Sequence, residues 1–170
     1  TCPSWPYDLY GNPKTRRCVL VCPEEESTYA DYSTRLCVKV CPRSPSLFGN
    51  NDTNRCVHYS GCPNNSFADN SSRLCVSKCP KYPDTYGDHT TRRCVATCPS
   101  PDLFADPFSQ ECVTRCPDGT YAENDTRRCM PICPPYKVNY ADNLTNKCAS
   151  RCPASESTYG DNSTQRCVLQ

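Results

Sequence analysis

Large aliphatic side chains are scarce in this sequence. Leu, Ile, Val and Phe together account for 23 of the 170 residues, and Met and Trp occur once each. This content is too low for the thick packed core that most enzyme pockets require, so we exclude a single large globule and most enzyme folds. Cysteine is abundant instead, with 18 residues, a fraction typical of disulfide scaffolds. Cross-links therefore replace the missing core.

Excess charge and long apolar runs are also lacking. The net charge is +1 and the isoelectric point is about 7.3, which argues against a basic surface for nucleic acid. No apolar run approaches the roughly 20 residues that cross a bilayer, so we expect no membrane insertion. Because disulfides persist in oxidising compartments, we expect a secreted protein that is extracellular or on the cell surface. The chain opens at Thr1 without a charged and then apolar leader, so we expect a mature or excised segment.

An internal repeat of about 19 residues covers the whole chain. Its unit is C-P-x(3 to 6)-[YF]-[GA]-[DNE]-x-x-[ST]-x-x-C-[VMA]-x-x, and nine copies follow one another. We therefore predict nine repeats, at residues 1–21, 22–40, 41–61, 62–78, 79–97, 98–115, 116–132, 133–151 and 152–170. We call them modules 1 to 9.

Each module is predicted to form a short β-hairpin. The Asp, Asn or Glu and the Ser or Thr three residues later are turn chemistry, because short polar side chains bond to nearby backbone groups. The aromatic ring and the Cys-Val pair flank this turn, so we expect the ring to stack on a cystine and on the Val of its own or the next module. One ring and one Val bury too little surface to fold alone, and stacking on neighbours must supply the difference. The predicted stacking aromatics are Tyr10, Tyr29, Phe48, Phe67, Tyr86, Phe104, Tyr121, Tyr140 and Tyr159.

Arginines that follow the turn are expected to face solvent or to pair loosely with the Asp of their module. These residues are Arg17, Arg35, Arg55, Arg73, Arg93 and Arg128.

The cysteine spacing leaves three regular pairing schemes. The first closes each long loop, the second closes the short gaps and strands Cys2 and Cys167, and the third interleaves modules and cannot tile nine of them evenly. We favour the first because it uses every cysteine. Its pairs are Cys2–Cys18, Cys22–Cys37, Cys41–Cys56, Cys62–Cys75, Cys79–Cys94, Cys98–Cys112, Cys116–Cys129, Cys133–Cys148 and Cys152–Cys167. The expected fold class is a small disulfide-rich array of nine stacked single-disulfide hairpins that form an elongated rod with little regular secondary structure.

Six Asn-x-Ser/Thr sequons are candidate N-glycosylation sites, and five of them occupy one position on the turn. A preference of Asn for turns is the alternative explanation of that position. The six residues are Asn51, Asn64, Asn70, Asn124, Asn143 and Asn162.

Other chemistry has weak support. The spacing Cys18-x3-Cys22 is compatible with four-cysteine zinc sites, but that pairing leaves the end cysteines unused. Calcium needs several carboxylates, and each module offers one recurrent acid. Neither His58 nor His89 recurs beside a nucleophile. We therefore expect no catalytic residue, no cofactor and no metal, and we expect that the protein is not an enzyme.

The motif Cys75-Val76-Ser77-Lys78-Cys79-Pro80 followed by Tyr86-Gly87-Asp88 resembles the furin-like and growth-factor-receptor cysteine-rich repeats. It is most similar to the long tandem arrays in large cysteine-rich surface proteins of protists. The resemblance covers the whole chain. It implies single-disulfide modules that stack as small β-fingers into rods, which serve as extracellular spacers, coats or contact surfaces.

The leading functional expectation is an extracellular structural protein, a glycosylated rod that acts as the subunit or segment of a fibre or surface coat. Joining Gln170 to Thr1 of a second copy leaves a gap one residue longer than seven of the eight short gaps within the chain, so end-to-end self-association is nearly in register. The alternative is the stalk or binding module of a cell-surface adhesin or receptor. A cysteine-rich metal store is a third and weaker option.

Overall fold

The computed structural model describes residues 2–134, 139–154 and 157–169, and their backbone is organised into short β-strands. Short 3-10 turns lie at Glu24–Glu26 and Tyr59–Gly61. The strands are β1 (Tyr10–Asn12), β2 (Arg17–Val19), β3 (Tyr29–Asp31), β4 (Leu36–Val38), β5 (Phe48–Asn50), β6 (Arg55–Val57), β7 (Phe67–Asp69), β8 (Leu74–Val76), β9 (Tyr86–Asp88), β10 (Arg93–Val95), β11 (Phe104–Asp106), β12 (Glu111–Val113), β13 (Tyr121–Glu123), β14 (Arg128–Met130), β15 (Tyr140–Asp142), β16 (Lys147–Ala149), β17 (Thr158–Asp161) and β18 (Arg166–Leu169). The predicted fold class, a small disulfide-rich array of hairpins, is confirmed.

All eighteen cysteines form disulfides, and their partners are those of the first pairing scheme. The two Cα atoms of each cystine lie 5.5–5.7 Å apart, as the hairpins require. Because every sulfur is bonded to another sulfur, the second and third schemes and the zinc site at Cys18 and Cys22 are wrong.

The two strands of a module form an antiparallel hairpin. In module 1, Tyr10 lies opposite Val19, Gly11 opposite Cys18 and Asn12 opposite Arg17. Since side chains alternate along a strand, the ring and the Val share one face while the small residue and the cysteine share the other. The same register recurs in the hairpins β3–β4, β5–β6, β7–β8, β11–β12, β13–β14, β15–β16 and β17–β18.

Parallel strand pairs join each hairpin to the next, and we call this contact the junction. At the first junction β1 lies beside β4, and the N–H of Gly11 donates to the carbonyl of Arg35 at 2.8 Å. The equivalent pairs are β3–β6, β5–β8, β7–β10, β9–β12, β11–β14, β13–β16 and β15–β18. Hairpin strands are antiparallel and junction strands are parallel. Within each of the two compact units described next, the turns of successive hairpins therefore lie at opposite ends of the strands.

The chain divides into two compact units. The first contains Thr1–Cys79 with His89–Cys94, and the second contains Pro80–Asp88 with Val95–Gln170. The first unit holds the four hairpins of β1 to β8 together with β10, and the second holds β9 with the four hairpins of β11 to β18.

Small clusters replace a single core. In the first cluster the Tyr10 ring packs with Ala30 and with the cystine Cys22–Cys37 of module 2, while Val19 covers its edge. The ring therefore reaches the cystine of the next module. Five further clusters among the described residues repeat this arrangement with the rings of Phe48, Phe67, Tyr86, Phe104 and Tyr121. Each module thus completes the apolar contact of its predecessor.

Candidate functional site

The junction is the feature that the fold repeats most faithfully, and its geometry begins at the turn. In module 2 the Asp31 carboxylate accepts hydrogen bonds from the backbone N–H and hydroxyl of Ser33 and from the Thr34 hydroxyl at 2.7 Å. Burial opposes ionisation of Asp31, but these hydrogen bonds outweigh it and lower its pKa below the ordinary value. The predicted role of the Asp and of the Ser or Thr in the turn is therefore observed, with the acid as an ionised cap.

The residue two places before the closing cysteine ends the turn with a positive φ, and we call it the arm residue. The φ angles of the nine arm residues lie between 50° and 62°. A left-handed residue closes a four-residue hairpin loop without splaying the strands, and its carbonyl then faces the preceding module and accepts the junction hydrogen bond. The arm residues are Arg16, Arg35, Asn54, Arg73, Arg92, Gln110, Arg127, Asn146 and Gln165.

Several arm side chains reach back across the junction to the opening loop, which we define as the residues from the first cysteine of a module to its ring. Arg73 donates from Nη2 to the carbonyls of Pro42 and Leu47 at 2.7 and 2.5 Å, and its guanidinium carbon lies 4.4 Å from the centre of the Phe48 ring. Only 5% of Arg73 is exposed. The expectation that it faces solvent or pairs with the Asp of its module is wrong, because the left-handed backbone turns the side chain towards module 3.

The same contact occurs at other junctions with different chemistry. Arg92 donates to the carbonyls of Cys62 and Pro63 at 2.6 and 2.7 Å. Asn146 donates to the carbonyl of Cys116 at 2.8 Å. Arg127 donates to the carbonyl of Leu103. Arg35 pairs at 2.7 Å with Asp8 of module 1, so the expectation that it faces solvent or pairs with the Asp of its own module is wrong. By contrast, Gln110 and Gln165 donate to carbonyls of their own turns, those of Pro107 and Asn162.

The ring of each module needs a small residue in the next module. A Cβ atom added to Gly49 would lie 2.7 Å from the ring of Tyr29, and the Tyr140 ring covers Gly160 in the same way. The Gly or Ala that follows every ring in the sequence therefore serves as the floor on which the preceding ring packs. Seven of the nine predicted stacking aromatics are buried, Tyr140 is half-buried, and Tyr159 is 56% exposed.

All six sequon asparagines are exposed. At three junctions the hydroxyl of the preceding ring donates to the asparagine Oδ1: Tyr29 to Asn51 at 2.6 Å, Tyr121 to Asn143 at 2.5 Å and Tyr140 to Asn162 at 2.6 Å. This bond uses the amide oxygen and leaves the amide nitrogen, the atom that an N-linked glycan occupies.

At the remaining sequons, the ring of the preceding module has no hydroxyl or the asparagine lies outside a turn. Phe48 and Phe104 stand before Asn70 and Asn124, and a phenylalanine ring carries no hydroxyl to donate. Asn64 lies in the opening loop of module 4 rather than in a turn. Where the next turn carries Pro107, the Tyr86 hydroxyl donates instead to Asp84 at 2.7 Å, and burial followed by this bond raises the pKa of Tyr86 to about 12.

The arm position was missed in the sequence, although a signal was present. Its column contains Arg, Asn or Gln in all nine modules, whereas the next residue varies among Arg, Leu, Glu and Lys. The predicted row of surface arginines combines the two columns. Arg17, Arg55 and Arg128 in the second column are exposed as expected, whereas Arg93 is half-buried with its guanidinium carbon 4.3 Å from the centre of the Tyr59 ring.

Comparisons with known proteins give no family for the chain. No family model, curated protein or solved structure matches it. The resemblance to furin-like repeats therefore stays a prediction. Within residues 2–134, 139–154 and 157–169, no group of three or more His, Cys, Asp or Glu residues is placed to hold a metal ion, and no helix has the length and apolar character to cross a membrane.

Proposed function

We propose that this chain is an extracellular structural glycoprotein, a repeat array that forms a segment or subunit of a fibre or surface coat. The observation that carries the proposal is the junction, which recurs at all eight steps with the same backbone hydrogen bond. Each hairpin leaves one strand edge and one ring to be completed by the next, which is the logic of a one-dimensional array. Such a design extends by adding modules and needs no closed core.

The cystines support the extracellular part of the proposal. Nine disulfides in 170 residues indicate an oxidising environment, as in secreted proteins. A glycosylated surface is supported by the exposure of every sequon asparagine and by its position on or beside a loop. We propose N-linked glycans on the five turn asparagines, and also on Asn64 in its exposed opening loop.

A stalk or binding module is the second candidate, and one observation favours it. Trp5, Tyr7 and Tyr82 are 85%, 67% and 94% exposed in the opening loops of modules 1 and 5. Exposed aromatic side chains are enriched at binding surfaces. On this alternative the junctions hold the array while the opening loops contact a ligand.

Electron microscopy of the native material, together with mass measurement before and after glycosidase treatment, tests the proposal. We expect filaments or a lattice with an axial repeat, and a mass loss that corresponds to several glycans. Isolated monomers that bind a soluble protein would favour the stalk. An unchanged mass would remove the glycans from the proposal and leave the assembly to be judged by the images.

A further inference from the structure

The junction between modules 5 and 6 lacks the contact that an arm makes elsewhere. At two preceding junctions Arg73 and Arg92 donate to carbonyls of the opening loop before them. Gln110, the arm residue of module 6, instead donates from Nε2 to the carbonyl of Pro107 in its own turn at 3.1 Å. A cavity of about 330 Å³ lies between that turn and the opening loop of module 5, and we call it the Gln110 cavity. Its lining residues are Lys81, Tyr82, Asp84, Pro107 and Gln110.

Two hydrogen-bond acceptors at this cavity are available to a ligand. Gln110 is 2% exposed, and its Oε1 has no hydrogen-bond partner among the described residues. A buried oxygen without a partner costs free energy that a donor on a ligand would recover. The second acceptor is Asp84, whose Oδ2 accepts from the Tyr86 hydroxyl at 2.7 Å and from Arg128 Nη2 at 2.9 Å. Both bonds use Oδ2, so the carboxylate is fixed in place and Oδ1 can accept from a ligand.

The Tyr82 ring supplies an apolar wall. It is 94% exposed, although the other ring of module 5, that of Tyr86, is buried. An aromatic side chain left in solvent offers a large apolar area that a ligand can cover. The face of such a ring has partial negative charge, so it attracts C–H groups that carry partial positive charge. The Gln110 cavity therefore combines a stacking surface with two acceptors for O–H or N–H donors.

Charge at the cavity favours a neutral ligand. The Asp84 carboxylate is already paired with the Arg128 guanidinium, and Lys81 brings a second positive charge to the lining. These two cations would repel a cationic ligand. An anion would meet the Asp84 carboxylate and the Gln110 oxygen, which accept hydrogen bonds and do not donate them. A neutral ligand with several hydroxyl groups satisfies both acceptors and can also accept from the Lys81 ammonium.

We propose that the Gln110 cavity binds one pyranose ring of a carbohydrate. A pyranose carries hydroxyls along its edge and C–H groups on its face, so it donates to Gln110 Oε1 and Asp84 Oδ1 while it stacks on Tyr82. The volume agrees with a single ring, because it lies near the lower end of the range of about 300–1,000 Å³ common for small-molecule sites. This site goes beyond the structural role proposed above and does not depend on it. The ring belongs either to a glycan of this protein on a neighbouring copy or to a glycan of another molecule, and the chemistry of recognition is the same.

NMR titration of the isotope-labelled protein tests the proposal with methyl glycosides of glucose, mannose, galactose and N-acetylglucosamine up to about 20 mM. A single ring that is contacted on few sides binds weakly, so we expect a dissociation constant on the order of 1 mM for at least one glycoside. The shifts should be confined to the resonances of Tyr82, Asp84, Gln110 and their neighbours. Oligosaccharides released from the protein itself form a separate arm of the titration. If they shift the same resonances, the site recognises the glycans of this protein, and if only the methyl glycosides do so, the natural ligand lies on another molecule.

Two variants remove the site by different routes. Tyr82→Ala removes the stacking surface and should weaken binding by about 10-fold or more. Gln110→Arg supplies the arm residue found in five other modules and should close the cavity, so binding should be lost. Its folding has an independent readout, because a new arm contact should slow exchange of the Gly87 N–H, which donates to the carbonyl of Gln110 at 2.7 Å in the wild type. Tyr32→Ala is the matched control, since it removes a tyrosine that is 67% exposed in the turn of module 2, and it should bind as the wild type does.

Two results would directly overturn the proposal. One is the absence of shifts with every glycoside and released oligosaccharide at about 20 mM, and the other is binding that persists unchanged in both Tyr82→Ala and Gln110→Arg. Methylguanidinium serves as a competing probe because it mimics the arginine arm that this junction lacks. Binding of methylguanidinium without binding of any glycoside would identify a vacant arm site and would also overturn the proposal. None of these results bears on whether the array forms fibres, which electron microscopy decides.

Discussion

Removing the Arg73 arm should weaken one junction without disturbing the hairpins on either side. The side chain donates two hydrogen bonds to the carbonyls of Pro42 and Leu47 and lies over the Phe48 ring. Hydrogen bonds from a charged donor contribute about 1.5–3 kcal/mol each, and a cation–π contact adds about 0.5–2 kcal/mol. Because water can partly replace the guanidinium at the carbonyls, we expect Arg73→Ala to cost slightly less than the sum of the lower ends, about 3 kcal/mol.

Native-state hydrogen exchange is the appropriate assay, since a repeat array does not unfold as one unit. The reporter is the N–H of Gly49, which donates to the carbonyl of Arg73 at 2.8 Å. A loss of about 3 kcal/mol corresponds to an exchange rate roughly 100-fold higher in the regime where opening is an equilibrium. Amides of modules 8 and 9 should keep their wild-type rates.

Two matched variants test whether loss of the arm contact causes the faster exchange. Arg55→Ala removes an exposed arginine from module 3 and should change exchange by less than about 0.5 kcal/mol. Arg73→Asn keeps a residue that other arm positions use and should recover part of the loss, because Asn146 makes the equivalent bond to Cys116. Equal effects of Arg73→Ala and Arg55→Ala would refute the assignment of the arm.

Three further predictions follow from other parts of the junction. Gly49→Leu should destabilise the junction by about 1–3 kcal/mol, because its Cβ would lie 2.7 Å from the Tyr29 ring, and unchanged denaturation and exchange would contradict this packing. Tyr121→Phe should cost about 0.5–1.5 kcal/mol through loss of the bond to Asn143, as measured by exchange at that junction. If Tyr121→Phe costs as much in a protein that already carries Asn143→Ala, the bond is not the cause and the prediction is contradicted. Hydrogen bonds from Thr164 and then Ser163 lower the pKa of Asp161 to about 2, so the last turn should be stable above the ordinary pKa near 4 and lose stability as the pH falls towards 2. A titration of the Asp161 carboxyl by NMR with a midpoint at or above 4 would refute this last prediction.

Much of one module could be predicted from the sequence because its constraints are local. The Asp31 turn, the loop closed by Cys22 and Cys37, and the hairpin between them depend on residues within one period. The spacing of these residues within one module is therefore enough to predict the hairpin and its disulfide, and the structure agrees with the first pairing scheme and with the hairpins.

The contacts between modules were less accessible because they depend on direction rather than on spacing. The sequence left open whether a ring packs on its own cystine or on the next one, and the parallel pairing of β1 with β4 decides for the next. The arm was missed for a related reason. An arginine such as Arg73 is usually exposed, and its burial follows from a left-handed backbone that composition does not reveal.

The junction divides the module into a fixed part and a variable part. Ring, small residue and arm are constrained because they meet the neighbouring hairpin, and the acid cap is constrained because it closes its own turn. The opening loop is constrained at few points, since Arg73 and Arg92 bind chiefly its backbone carbonyls, with one further hydrogen bond from Arg73 to the Ser46 hydroxyl. The length and the side chains of the opening loop can therefore change while the junction hydrogen bonds are kept, as the exposed Trp5 and Tyr82 illustrate. We infer that the junctions determine how the array extends, and that the opening loops are where one such array can come to differ from another in what it contacts.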